Sequence, residues 1–168
     1  MGKLGQETAL IGYCLGGTMA IAAANLARFE RVATLAAPWR FSGYPAESRD
    51  SLQRLWDGTK GAARDLKALP MEVLQSAFWS LDPKRTVAKF AMFGELAPDS
   101  ADSRRFVTLE DWANEGEPLP FPAARELIED LFGGDLPAIG EWRVGGQVMA
   151  SATSGRRCGG TSLMTPVL

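Results

Sequence analysis

Gly12-Tyr13-Cys14-Leu15-Gly16-Gly17 is the stretch of the chain whose residue types and spacing specify chemistry. Cys14 is a thiol able to attack an acyl carbon and hold the acyl group as a thioester. Glycines on either side allow a sharp strand–turn–helix elbow that lifts the nucleophile clear of its neighbours, with Cys in the place where Ser is more usual. Such a turn holds its nucleophile in a strained backbone conformation, so Cβ atoms at Gly12 and Gly16 are expected to collide with nearby backbone. The thiol also needs a general base, normally His oriented by Asp. The 168 residues include no histidine. Asp130 and Asp135, acids late in the chain, read as surface charges. Half of a catalytic apparatus is visible.

Secondary structure must position that half. Residues 8–12 are apolar without alternation, which predicts a short strand buried on both faces. Residues 17–28 form an alanine-rich helix with few polar side chains, expected to be buried on most sides. Residues 32–37 predict a second strand that Pro38 stops. A right-handed crossover makes 8–37 a β-α-β unit with parallel strands. Thirteen residues precede Cys14, room for one strand. Earlier strands of a larger sheet, and the loop that gives the second oxyanion amide, are therefore expected to be missing.

From 46 to 131 the periodicity becomes helical. Leu52, Leu55 and Trp56 share a face, as do Met71, Leu74, Phe78 and Leu81 after Pro70. Asp82-Pro83 supplies an N-cap and a first-turn proline for a helix carrying Val87, Phe90 and Met92. Phe106, Leu109 and Trp112 continue the pattern, and a segment from 122 to 132 ends at Gly133-Gly134. Tryptophans cluster between Trp39 and Trp112; they read as core, with a lining for an acyl chain as the sharper alternative. From 150 onward the sequence is rich in Ser, Thr, Gly and Arg without periodicity, and predicts a disordered or foreign tail. The expected organisation is a partial core over 1–45, a helical cap over 46–135, a return toward the core over 136–149, and the tail over 150–168.

Composition narrows the partners. A formal charge of -2, from 18 basic and 20 acidic residues, gives no reason to expect nucleic acid or an anionic membrane. Cys14 and Cys158 stand in unlike contexts, and neither metal-ligand spacing nor histidine is present, so no metal is expected. No apolar run is long enough to span a bilayer, and a cytoplasmic protein is the default expectation.

The elbow and the alanine-rich helix after it resemble the poly(3-hydroxyalkanoate) synthases, of the α/β-hydrolase superfamily, whose nucleophile box is Gly-x-Cys-x-Gly-Gly. Ala36-Ala37-Pro38-Trp39 after the second strand is similar to the same family, and Asp111-Trp112 with Leu119-Pro120 resembles a segment of its cap. Ala113 and Pro118 depart from that segment, each standing where the synthases usually have Asn, and mark a divergent branch. The likeness covers about residues 6–149. It implies an α/β-hydrolase fragment with a helical cap and a cytoplasmic acyltransferase, with storage-polymer granules as a second location. It implies Cys14 as nucleophile toward 3-hydroxyacyl-coenzyme A thioesters and the backbone N–H of Leu15, the residue after it, as one oxyanion donor, with no cofactor beyond that substrate. Trp39 and Trp112 are its candidate substrate contacts. Partners would be the acyl-coenzyme A or its polyester, and a second copy in a homodimer. The family's Asp and His would follow Gly146, where no match exists, as truncation or a frameshift near 150 would leave it. A thioesterase or depolymerase-like hydrolase shares these features, and a non-catalytic fragment that keeps the fold is the remaining alternative.

Overall fold

The computed structural model describes residues 8–151 and is a mixed helix–strand protein with a small parallel sheet. Residues 8–43 and 134–151 form one compact unit; Tyr44–Gly133 form a second. The first opens with β1 (Ala9–Tyr13), α1 (Leu15–Leu26) and β2 (Arg31–Leu35). The strands pair in parallel, Ala9 opposite Arg31 through Tyr13 opposite Leu35. The helix begins two residues earlier than its composition predicts, because Cys14 leaves the strand and takes the N-cap position itself. β2 ends at Leu35 because Ala36 turns the chain at φ 49°, two residues ahead of Pro38.

Two burial expectations are corrected here. The sheet is not covered on both faces among the described residues: Ile11 is 72 % exposed and Leu35 56 %. Helix α1 covers one face, and its own buried residues, Gly17, Thr18, Ala20 and Ala22, lie on one side while Met19 and Leu26 are exposed. A 3₁₀ turn over Phe41–Gly43 closes this first pass.

The second unit is helical: α2 (Ala46–Asp65), α3 (Met71–Leu81), α4 (Pro83–Gly94) and α5 (Ala101–Asn114). A short antiparallel pair, β3 (Ala68–Leu69) with β4 (Leu119–Pro120), leads into α6 (Phe121–Arg125). The helix predicted over 122–132 changes winding partway, for Glu126–Gly133 is π-helical. Gly133 suits its end, since a Cβ there would lie 3.2 Å from the Ile128 carbonyl oxygen. Asp82 caps α4 as its place before Pro83 predicts, its carboxylate accepting from the Arg85 amide at 3.0 Å.

Trp56 anchors the core of this unit. It is 1 % exposed, stacks on Phe121 with centroids 5.9 Å apart, and its Nε1–H donates to Glu129 at 2.9 Å. The Lys60 ammonium donates to the same carboxylate. The Lys60 hydrogen bond, then that of Trp56, holds the Glu129 carboxyl below the usual glutamate range, while burial raises that of neighbouring Asp130. Helices α4 and α5 pack on each other through Phe93 on Phe106 at 4.4 Å and the Lys89–Glu110 pair at 2.8 Å. Their apolar periodicity does not translate into burial: neither has a buried residue, and Val87, Met92 and Leu109 are all more than half exposed.

The chain then returns to the first unit through α7 (Leu136–Ile139) and a hairpin of β5 (Arg143–Val144) and β6 (Gln147–Val148). Gly145 and Gly146 take φ 57° and 83° there, as a two-residue hairpin turn requires. Trp142 packs edge-on against Trp39, and the Asn25 side chain both donates to the Ala150 carbonyl and accepts from its amide. Asp135 is not the surface charge its composition suggests. It is 9 % exposed, and its carboxylate accepts from the Phe41 amide at 2.8 Å and the Ser42 amide at 3.1 Å. Asp130 is half-buried. Residues 152–168, with Cys158 and nearly all of the expected tail, lie outside the described residues.

Asp135→Ala should therefore cost about 2–4 kcal/mol, two amides losing a charged acceptor, with Asp135→Asn costing less; the urea unfolding midpoint measures both. A depressed carboxyl contributes stability above its unfolded pKa and loses it as pH falls through the folded value. Glu129→Gln should thus lower stability at neutral pH and flatten the loss on acidification from the ordinary glutamate range downward. Asp130, raised instead, contributes below its unfolded pKa and loses that contribution as pH rises, so Asp130→Asn should gain stability at neutral pH. Chemical unfolding across pH 3–7 reads the two opposite slopes, the window spanning ordinary carboxyl values of about 4.

Candidate active site: the Cys14 elbow

Cys14 sits between the end of β1 and the start of α1 with φ 51° and ψ -127°. A residue with a Cβ adopts positive φ only when its surroundings over-determine it. Three backbone hydrogen bonds do so here. The Cys14 amide donates to the Leu35 carbonyl at 2.9 Å, and the Cys14 carbonyl accepts from Gly17 at 2.8 Å and Thr18 at 3.3 Å. The thiol-bearing residue is half-buried.

The glycines explain how the helix comes so close to the strand. A Cβ on Gly12 would lie 2.4 Å from the Gly16 carbonyl oxygen and 2.6 Å from the Gly17 Cα. A Cβ on Gly17 would lie 2.5 Å from the Ala37 Cβ. At Gly16 a Cβ would meet nothing within 4 Å, which corrects the expectation for that position. The steric requirement falls on Gly12 and Gly17, because the helix starts at Leu15 and turns Gly16 outward. Gly16 is exposed and Gly17 buried.

Leu15 and Gly16 occupy the first turn of α1, whose amides have no acceptor within the helix. The turn also carries the positive end of the helix dipole, so an oxyanion formed next to Cys14 would find donors and a favourable field there. Among the described residues no side chain hydrogen-bonds to the Cys14 thiol, and both oxygens of Asp135 are engaged by backbone amides. No group of three His, Cys, Asp or Glu side chains gathers among the described residues as a metal site would need. No helix there is long and apolar enough to cross a membrane.

The two candidate substrate tryptophans part company. Trp39 lies in the same unit as Cys14 and is 8 % exposed, with its ring edge-on against Trp142. Trp112 lies on α5 of the helical unit and is 62 % exposed. Thr18 escaped the sequence reading. It is fully buried, and its hydroxyl donates to the Pro38 carbonyl at 2.6 Å. A hydroxyl in a helix whose one other polar side chain is Asn25, directly after the Gly-Gly pair, was the available signal, since a buried polar group needs a partner.

The glycine geometry makes a three-way prediction. Gly12→Ala should abolish the elbow, read as a large drop in melting temperature, because the clash is with backbone. Gly16→Ala should be tolerated and gain up to about 1 kcal/mol from helix propensity. Gly17→Ala should be destabilising and partly recovered by Ala37→Gly in the double variant, because its severest clash, at 2.5 Å, is with the Ala37 Cβ while a tight contact with the Gly12 carbonyl oxygen at 3.2 Å remains.

Compared with family models, with curated proteins and with solved structures, the chain finds no match in any of the three.

Proposed function

We propose that this chain carries the nucleophile elbow of an α/β-hydrolase-like acyltransferase similar to the poly(3-hydroxyalkanoate) synthases, and that Cys14 accepts the acyl group of a 3-hydroxyacyl-coenzyme A thioester. The observation that supports this best is the backbone of Cys14. A cysteine held at φ 51° between a parallel strand and a helix, with no room for a Cβ at Gly12, matches what an elbow nucleophile needs.

In the reaction the Cys14 sulfur attacks the thioester carbonyl carbon, forming a new carbon–sulfur bond and placing negative charge on the oxygen. The first-turn amides of Leu15 and Gly16 are the donors at hand for that charge. Collapse breaks the bond from carbon to the sulfur of coenzyme A, which leaves as the free thiol after taking up the proton that Cys14 gave to solvent. Acyl-Cys14 and coenzyme A are the products.

Passing the acyl group on requires deprotonating a second molecule, either a substrate hydroxyl or water. A positioned base contributes about 10²–10⁴-fold to such a step, and the chain has no histidine to serve as one. The isolated chain accordingly loads once and releases slowly. Water is the simpler acceptor, since Cys14 is half-buried rather than enclosed, which keeps thioester hydrolysis as the second reading.

Incubation with 3-hydroxybutyryl-coenzyme A should give one equivalent of coenzyme A and a mass increase confined to the peptide bearing Cys14. Intact-mass and peptide mass spectrometry measure it, and Cys14→Ala should remove the adduct. Absence of any adduct on folded protein refutes the acceptor role. Sustained release of coenzyme A that depends on Cys14 refutes the single-loading account.

A further inference from the structure

The end of β2 and the loop after it meet Cys14 and the first turn of α1 at three places. Leu35 accepts from the Cys14 amide at 2.9 Å, the Ala37 Cβ fills the space that a Gly17 side chain would need, and Pro38 accepts from the Thr18 hydroxyl at 2.6 Å. Both sides of this seam are strained: Cys14 has φ 51° and Ala36 has φ 49°. Neither residue prefers that conformation, so each depends on what holds the seam together. Leu35 is placed by the pairing of β2 with β1, and Ala37 contributes a van der Waals contact without direction. The Thr18 hydroxyl is a directional side-chain tie between residues twenty positions apart, on a side chain with no exposed surface. Its own amide also donates to the Cys14 carbonyl, so the residue grips the loop and the nucleophile's backbone together.

We propose that Thr18 is a positioning residue for Cys14: its hydroxyl fixes the Ala36–Pro38 loop against the first turn of α1 and so keeps the nucleophile in its elbow conformation. This rests on Cys14 being an acyl acceptor. A hydroxyl that merely satisfies a buried carbonyl would affect stability alone. A positioning hydroxyl affects a reaction that needs the oxyanion amides aligned with the thiol, and spares one that needs only the thiol. Acylation by a thioester is of the first kind, and alkylation by iodoacetamide is of the second.

The test uses the full chain with Thr18→Val, which keeps the shape and removes the hydroxyl, and Thr18→Ser, which keeps the hydroxyl. Rates of Cys14 acylation by 3-hydroxybutyryl-coenzyme A and of alkylation by iodoacetamide are measured on each. Thr18→Val should slow acylation about 10–100-fold, the scale of a small misalignment at the reacting centre, while alkylation stays near the parent rate. Thr18→Ser should restore acylation. Folded Thr18→Val that acylates at the parent rate overturns the proposal, as does a Ser variant that loses as much as Val. Should Thr18→Val fail to fold, Thr18→Ala carries the same comparison of the two rates with the same deciding outcomes. If the parent chain is alkylated at Cys14 but takes no acyl group, the acceptor reading fails by itself. Positioning is then decided by hydrogen exchange at the Cys14 and Gly17 amides: faster exchange in the Val variant but not in the Ser variant supports it, and unchanged exchange overturns it.

Discussion

The close approach of the first turn of α1 to the end of β1, with the Gly16 carbonyl oxygen occupying the space where a Gly12 side chain would project, is the constraint on which the first unit depends. It leaves Cys14 no ordinary conformation in which to join strand to helix. The residue is driven to positive φ and kept there by the Leu35 carbonyl on one side and the amides of Gly17 and Thr18 on the other. Parallel pairing of β1 with β2 is what puts Leu35 within reach. Sheet, turn and helix are therefore mutually dependent, and the strain at Cys14 is supported by all three.

Elsewhere the chain relies on single carboxylates that gather several partners. Glu129 takes hydrogen bonds from an indole and an ammonium, so one carboxylate ties the π-helical segment to α2. Asp135 does the same for two consecutive backbone amides at the 3₁₀ turn. Charge-assisted bonds of this type are stronger than neutral ones, and their geometry is more restrictive. Where such anchors are lacking the packing is thinner, as in α4 and α5, which are joined by aromatic contacts and one ion pair without a buried residue between them.

Local signals were legible in the sequence and long-range ones were not. The β-α-β order of residues 8–37 follows from two apolar runs, an alanine-rich helix and a turn of glycines, all within thirty residues. The cap at Asp82 follows from the proline behind it. Periodicity told which residues share a face of α4 and α5, but it carries no information on whether another element covers that face, and Val87 and Met92 stand exposed. The spacing around Cys14 called for small residues. It could not say which glycine turns its missing side chain inward, because that depends on the residue at which the helix begins. Asp135 carried no local signal of its role because its partners lie more than ninety residues away. Of the candidate site, Cys14 and the first-turn amide of Leu15 were visible, and the buried Thr18 hydroxyl that donates to the Pro38 carbonyl was not.

The Asn25 clip has a chemical corollary. One primary amide presents a donor to the Ala150 carbonyl and an acceptor to its N–H, copying the edge of a strand with a side chain. Few other groups of that size offer both functions at once. Slow hydrolysis of the amide to a carboxylate would leave the shape almost unchanged but turn the donor into a second acceptor, facing a carbonyl oxygen. The hairpin's exit is thus fastened by a group that can age, and a change of a single mass unit at Asn25 would convert attraction into repulsion at one of its two contacts with Ala150.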